Sequence, residues 1–141
     1  MIILDTDHFT IVQYADDSRY PILRQRLVDS PDQWIATTVV TAEEQLRGWL
    51  AEVNRWRDVR RQMPAYERLM DVVEDLNDWE VLRLDESAAK QVDHLRSLRL
   101  HIGTQDLKIA AITLAHDALL LSANARDFRR VPGIKVESWI E

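Results

Sequence analysis

Four acidic residues, Asp5, Glu44, Asp106 and Asp127, each stand where an apolar strand pattern has just ended or a helix is beginning. In an open parallel α/β sheet those positions share one edge, so carboxylates scattered along the chain are expected to meet in one crevice. At roughly 4 to 8 Å apart and an effective dielectric near 20, each like-charge pair costs about 2 to 4 kcal/mol. A hard divalent cation reverses that sign. Mg²⁺ and Mn²⁺ take carboxylate oxygens and keep several waters, which leaves room for a phosphate and an attacking water. The chemistry this pattern points to is phosphodiester hydrolysis.

Positioning such acids requires alternating strands and helices, and the hydrophobic pattern supplies them. Met1 to Leu4, Trp34 to Val40, Glu80 to Leu84, Ala118 to Leu121 and Ile134 to Trp139 read as strands, the last at a sheet edge. A helical stretch starts near Phe9, restarts at Ser18 and Pro21 and reaches Val28. Thr41 is expected to cap a long helix carrying Leu46, Trp49, Leu50, Val53 and Trp56. Pro64 is expected to open its partner, with Tyr66, Leu69, Met70, Val73 and Leu76 as the apolar stripe, so that Thr41 to Asn77 forms a helical hairpin. Asp85 caps the helix with Val92, Leu95 and Leu98, and Gly103-Thr104 starts a nearly all-apolar helix from Leu107 to His116. Short apolar strands alternating with helices specify an α/β fold, a mainly parallel sheet covered on both faces.

Each acid also has a local explanation. Asp5 and Asp127 can cap or start turns, and Asp106 suits the first turn of its helix, where the macrodipole favours a negative charge by roughly 0.3 to 1 kcal/mol. Thr41-Ala42-Glu43-Glu44 has the form of a capping box. None of these explains why all four fall on one predicted edge, and the functional reading rests on that coincidence. His8, His94, His101 and His116 show no ligand spacing and read as surface or satisfied packing residues. The tryptophans read as core and dimer contacts, since Trp49 and Trp56 lie one heptad apart.

The 141 residues suit one domain spanning residues 1–141, and 46% apolar content is ordinary for a globular chain. Without cysteine there are no disulfides or thiolate metal sites, which accords with a reducing cytoplasm. Neither an export signal nor a membrane span is visible. A net charge of -6 argues against a non-specific nucleic-acid coat, so any recognition of nucleic acid must be local. The basic run Arg126-Asp127-Phe128-Arg129-Arg130 is either a phosphate-holding flank of the site or a solvated surface.

Taken together, Ile3-Leu4-Asp5-Thr6-Asp7, Val40-Thr41-Ala42-Glu43-Glu44-Gln45-Leu46-Arg47-Gly48, Ile102-Gly103-Thr104-Gln105-Asp106-Leu107-Lys108-Ile109-Ala110 and Leu121-Ser122-Ala123-Asn124-Ala125-Arg126-Asp127-Phe128, followed by Val131-Pro132-Gly133, resemble a PIN domain. More narrowly, they resemble the VapC-type toxin ribonuclease of bacterial toxin–antitoxin pairs, over nearly the whole chain. The resemblance implies a three-layer α/β/α fold with a helical hairpin insertion. It further implies a growth-inhibiting endoribonuclease that cleaves single-stranded or looped RNA with Mg²⁺ or Mn²⁺. Asp5 and Asp106 match the primary metal ligands, Glu44 and Asp127 the acids that complete the pocket, and Thr6, Ser122 and Asn124 its polar lining. Glu44 is chosen over Glu43 because it keeps the four-residue spacing to Gly48. Implied partners are a second copy of the chain and a cognate antitoxin.

Two other readings compete. Asp5-Thr6-Asp7 also resembles the opening motif of haloacid-dehalogenase-type phosphatases, with Asp5 as nucleophile, although that chemistry requires a lysine and an acidic pair after the later strands and here Ala118 to Leu121 leads to Ser122 and Asn124 instead. A non-enzymatic phospho-receiver domain would use Asp85 as its acceptor.

Overall fold

Ile3 faces one side of a sheet while Ile2 and Leu4 face the other, and this alternation decides the architecture. In the computed structural model, which describes residues 1–141, the strands are β1 (Ile2–Leu4), β2 (Ile35–Thr38), β3 (Val81–Leu82), β4 (Leu119–Leu121) and β5 (Lys135–Glu137). They pair in parallel throughout, in the order β3-β2-β1-β4-β5. The register places Ile2 beside Ile35 and Leu119, and Leu4 beside Leu121. Strands apolar on both faces must be covered on both.

The helices supply that cover. On one face Ile3, Ala36 and Leu120 pack against Val92 and Leu95 of α5 (Glu86–Ser97) and Ile109 to Ile112 of α6 (Thr104–Ala115). On the other, Ile2, Leu4 and Leu121 pack against Phe9 and Ile11 of α1 (Thr6–Gln13), Leu23 and Leu27 of α2 (Tyr20–Asp29), and Trp139. The expected three-layer α/β/α arrangement is therefore present. Phe9 is fully buried and meets Trp79 edge-on at 5.0 Å. Phe9→Ala is expected to destabilise the chain by about 3 to 5 kcal/mol, checked by denaturant unfolding.

The helical hairpin is also present, as α3 (Val39–Arg55) against α4 (Val59–Asp78), but three local expectations change. Thr38 rather than Thr41 caps α3, its hydroxyl accepting the Thr41 amide, so Glu44 lies beyond the first turn and no capping box forms. Pro64 does not open α4. Asp58 caps that helix by accepting the Arg60 amide, which leaves Pro64 inside it. Of the predicted stripe, Leu69 and Leu76 are half-buried while Tyr66, Met70 and Val73 are exposed, and the residues that turn fully inward are Ala65 and Val72. Asp85 caps α5 as expected, accepting the Ala88 amide. No helix is long and apolar enough to cross a membrane.

Candidate active site

In the order β3-β2-β1-β4-β5, the connections leave β1 and β4 toward opposite edges of the sheet, which makes the gap beyond their carboxyl ends the topological switch point where open α/β sheets bind ligands. Asp5 follows β1 there. Its amide donates to Leu121 O at 2.9 Å, and its carboxylate caps α1 by accepting the Thr6 amide at 2.7 Å. From the end of β4 the Ser122 hydroxyl donates to Asp5 Oδ2 at 2.6 Å. Two residues further, beyond Ala123, Asn124 Nδ2 donates to Asp106 Oδ2 at 3.1 Å, Asp106 being in the first turn of α6. Glu44 comes from α3, where the Thr6 hydroxyl donates to its Oε2 at 2.6 Å.

Asp5, Glu44, Asp106, Thr6 and Asn124 thus line one open cleft of about 460 Å³ together with Asp7, Thr10, Ile11 and Arg19. Ser122 is buried behind it. Asp127 does not line the cleft. It belongs to the short helix α7 (Ala125–Phe128) and pairs with Arg130 at 3.6 Å, close enough to Asp106 for its charge to be felt there. Glu43 points elsewhere, to Arg47 at 2.5 Å and to the amide of Gln105 at 2.7 Å. Arg130 also donates to His101 O, so of the basic run Arg126 and Arg129 are the exposed cations without an ion-pair partner.

The electrostatics are those of an uncompensated anionic cleft. Burial pushes the Asp5 carboxyl up to about 6, reinforced by Asp7 and Asp106 and opposed by the Ser122 and Thr6 hydrogen bonds. Asp106 is also raised, first by burial, with Asp127 and Asp7 adding to it against the Asn124 bond. The basic side chain at the rim, Arg19, is already forked onto Asp17 through Nε and Nη2. No three His, Asp or Glu side chains close around one point. A cation bound here would have to keep most of its water, and Asp5 and Asp106 are among the carboxylates of the cleft that could hold it.

Asp7 is the site residue that the position of the four acids did not single out. Its Oδ2 accepts the Ala123 amide at 3.0 Å, 116 residues away, and its Oδ1 meets His8 Nδ1 at 2.5 Å. The available signal was a second aspartate two residues after Asp5. His8 is buried with both ring nitrogens satisfied, Nε2 accepting the Trp139 amide at 3.1 Å.

The same geometry bears on the competing readings. Asp85 is exposed, spent on its helix cap, and follows the edge strand β3 instead of facing the cleft, which removes the phospho-receiver reading. No lysine lines the cleft, as the phosphatase reading needs.

No protein-family model matches the chain. Solved structures match over its whole length: VapBC-1 from nontypeable Haemophilus influenzae at a TM-score of 0.75 and 22% identity over 100% of both chains, and VapBC2 from Rickettsia felis, bound to a DNA fragment from its promoter, at 0.71 and 23% over 99% of both. This is a PIN-like fold. In sequence the PIN-like chain is 40% identical over 48 residues to Ribonuclease VapC1 of Rickettsia felis and likewise to Ribonuclease VapC of Rickettsia bellii. That match spans 34% of this chain and only 36%, about a third, of the length of each of these curated relatives. The whole-chain likeness shows the fold, and the VapC-type resemblance in sequence is carried by the local match.

Proposed function

We propose that this chain is a metal-dependent endoribonuclease that cleaves single-stranded or looped RNA and acts as a growth-inhibiting toxin held in check by a cognate antitoxin. The observation that carries the reading is the pair Asp5 and Asp106, both raised by burial and by neighbouring carboxylates, facing one open cleft at the switch point. The ribonuclease names of the two local relatives support the choice of RNA as substrate. Asp5 and Asp106 would hold Mg²⁺ or Mn²⁺, with Glu44 and Asp127 adding negative charge at the sides. When bound, the cation supplies Lewis-acid polarisation of the phosphate and a more acidic water.

The chain's own groups do the rest. Ser122 and the Thr6 amide fix both oxygens of Asp5, and Asn124 orients Asp106. Glu44, whose Oε2 accepts the Thr6 hydroxyl, would accept a proton from a water attacking phosphorus. As the new P–O bond forms, the bond to the leaving ribose oxygen breaks, and that oxygen takes up a proton.

An exposed apolar line on α4, Val59, Met63, Tyr66, Met70 and Val73, supports a protein partner. Its alternating spacing of four and three residues is that of a helix seam, suited to an antitoxin helix or a second copy. The test is incubation of the purified chain with total cellular RNA and Mn²⁺, with cleavage mapped at single-nucleotide resolution. Discrete cuts that disappear with EDTA are expected. Cleavage that persists in EDTA, or no cleavage of any RNA, would refute the reading.

A further inference from the structure

His8 is completely buried, yet neither of its ring nitrogens is spent on core packing alone. Nε2 faces the backbone amide of Trp139 at 3.1 Å, and an amide can only donate. That contact assigns the ring proton to Nδ1, which donates to Asp7 Oδ1 at 2.5 Å. Asp7 Oδ2 in turn accepts the Ala123 amide at 3.0 Å and lies 3.5 Å from the Ser122 hydroxyl. The loop after β4 is thereby tied down at Ala123, between the two residues that reach the site. Ser122 bonds Asp5 at 2.6 Å and Asn124 bonds Asp106 at 3.1 Å, while the Asn124 amide donates to Ser122 Oγ at 3.0 Å.

Trp139 is itself immobilised. It is buried, its indole donates to Glu137 at 2.6 Å, and the Arg26 guanidinium lies 4.8 Å over its ring. A fixed backbone amide therefore sets the tautomer of His8, and the tautomer sets which atom can hold Asp7. We propose that His8 is a positioning residue which, through Asp7, sets the Ser122-to-Asn124 loop over Asp5 and Asp106. This rests on the reading of those two carboxylates as the cation-holding pair. Carboxylate–imidazole partners behind a ligand set commonly change metal affinity by about 10- to 100-fold when broken.

The two ends of the imidazole can be imitated separately. In His8→Asn the side-chain amide keeps a donor for Asp7 near the Nδ1 position but does not reach Trp139. In His8→Gln the carbonyl reaches the Nε2 position and accepts from Trp139, but no donor is left for Asp7. A purely structural histidine would be served equally by either variant, or better by glutamine, which keeps the buried amide satisfied. The experiment is calorimetric titration of Mn²⁺ into each folded variant, below its melting midpoint. The expected result is a dissociation constant raised at least about tenfold in His8→Gln and within about threefold of the parent in His8→Asn. Equal changes in the two, or an unchanged constant in His8→Gln, would overturn the proposal. A His8→Gln chain that does not fold moves the test to Asp7→Asn, in which exchange of the Ala123 amide must speed up about tenfold or more, and unchanged exchange again overturns it. A parent chain that takes up no Mn²⁺ refutes the cation reading itself, whereas a parent that binds and cleaves beside an unaffected His8→Gln refutes only the role of His8.

Discussion

Replacing Asp5 by asparagine is expected to stabilise the metal-free chain while lowering nuclease activity by about a thousandfold or more. The stability change follows from the carboxyl, whose ordinary value of 3.8 rises to about 6 in the folded state. Between those values the folded chain holds a proton that the unfolded chain has released, so the stability this group contributes is present below about pH 3.8 and lost as pH rises through about 6. At neutral pH the full cost remains, about 3 kcal/mol as an upper figure at roughly 1.4 kcal/mol per unit. The neutral amide of Asp5→Asn escapes it. Its carbonyl can still accept the Thr6 amide, and its NH₂ can donate to Ser122 Oγ, leaving that hydroxyl free to turn toward Asp7. The loss of activity follows from removing a charged ligand whose cation contributes several kcal/mol, where roughly 1.4 kcal/mol is tenfold in rate. Melting midpoints of parent and variant should therefore nearly coincide at about pH 4, diverge as pH rises to about 6, and keep a constant gap from there to about pH 8, with the variant higher. Near-normal turnover of Asp5→Asn in Mn²⁺ would show that Asp5 is not a ligand.

Glu44→Gln is expected to reduce kcat/KM by about a hundredfold, within the range of a lost proton acceptor. Its fold should be unchanged, because the Thr6 hydroxyl can donate to the glutamine carbonyl as it does to Glu44 Oε2. Glu43→Gln should stay within about threefold, since Glu43 faces Arg47 and Gln105 on the exposed side of the same helix and such pairs contribute little. Rates on a labelled RNA, with circular dichroism as the control, separate the two. Equal losses would mean that the orientation of these neighbours about α3 does not decide their roles.

How far the sequence carries depends on whether the deciding contact is near in the chain. The strands, the apolar α6 and the Asp85 cap were legible because periodicity and capping act within a few residues. The start of α3 was not. Thr38 and Thr41 are both able to cap, and the choice is made by β3, where Thr38 pairs beside Leu82 and the strand must end. The line of apolar residues on α4 was visible, but its direction was not, since Ala65 and Val72 give the closer approach to the rest of the fold. Asp5, Glu44 and Asp106 were placed on one edge by topology alone, whereas Asp127 lies on that edge with its carboxylate turned to Arg130. Asp7 was the least legible, because what makes it matter is a backbone amide 116 residues away.

That distance along the chain has a consequence for how the molecule comes into being. Asp5 and Ser122 meet across 117 residues, through two adjacent parallel strands that cannot pair until everything between them has been made. Contacts of such high sequence separation form late, after the entropy of closing the long loop has been met. A growing polypeptide that has reached only the α3–α4 hairpin already contains Asp5, Asp7 and Glu44, yet lacks Asp106 and the Ser122 hydroxyl that holds Asp5 in place. On the proposed reading a partial product of translation lacks a complete site, because the groups that fix Asp5 and Asp106 arrive only when β4 docks beside β1.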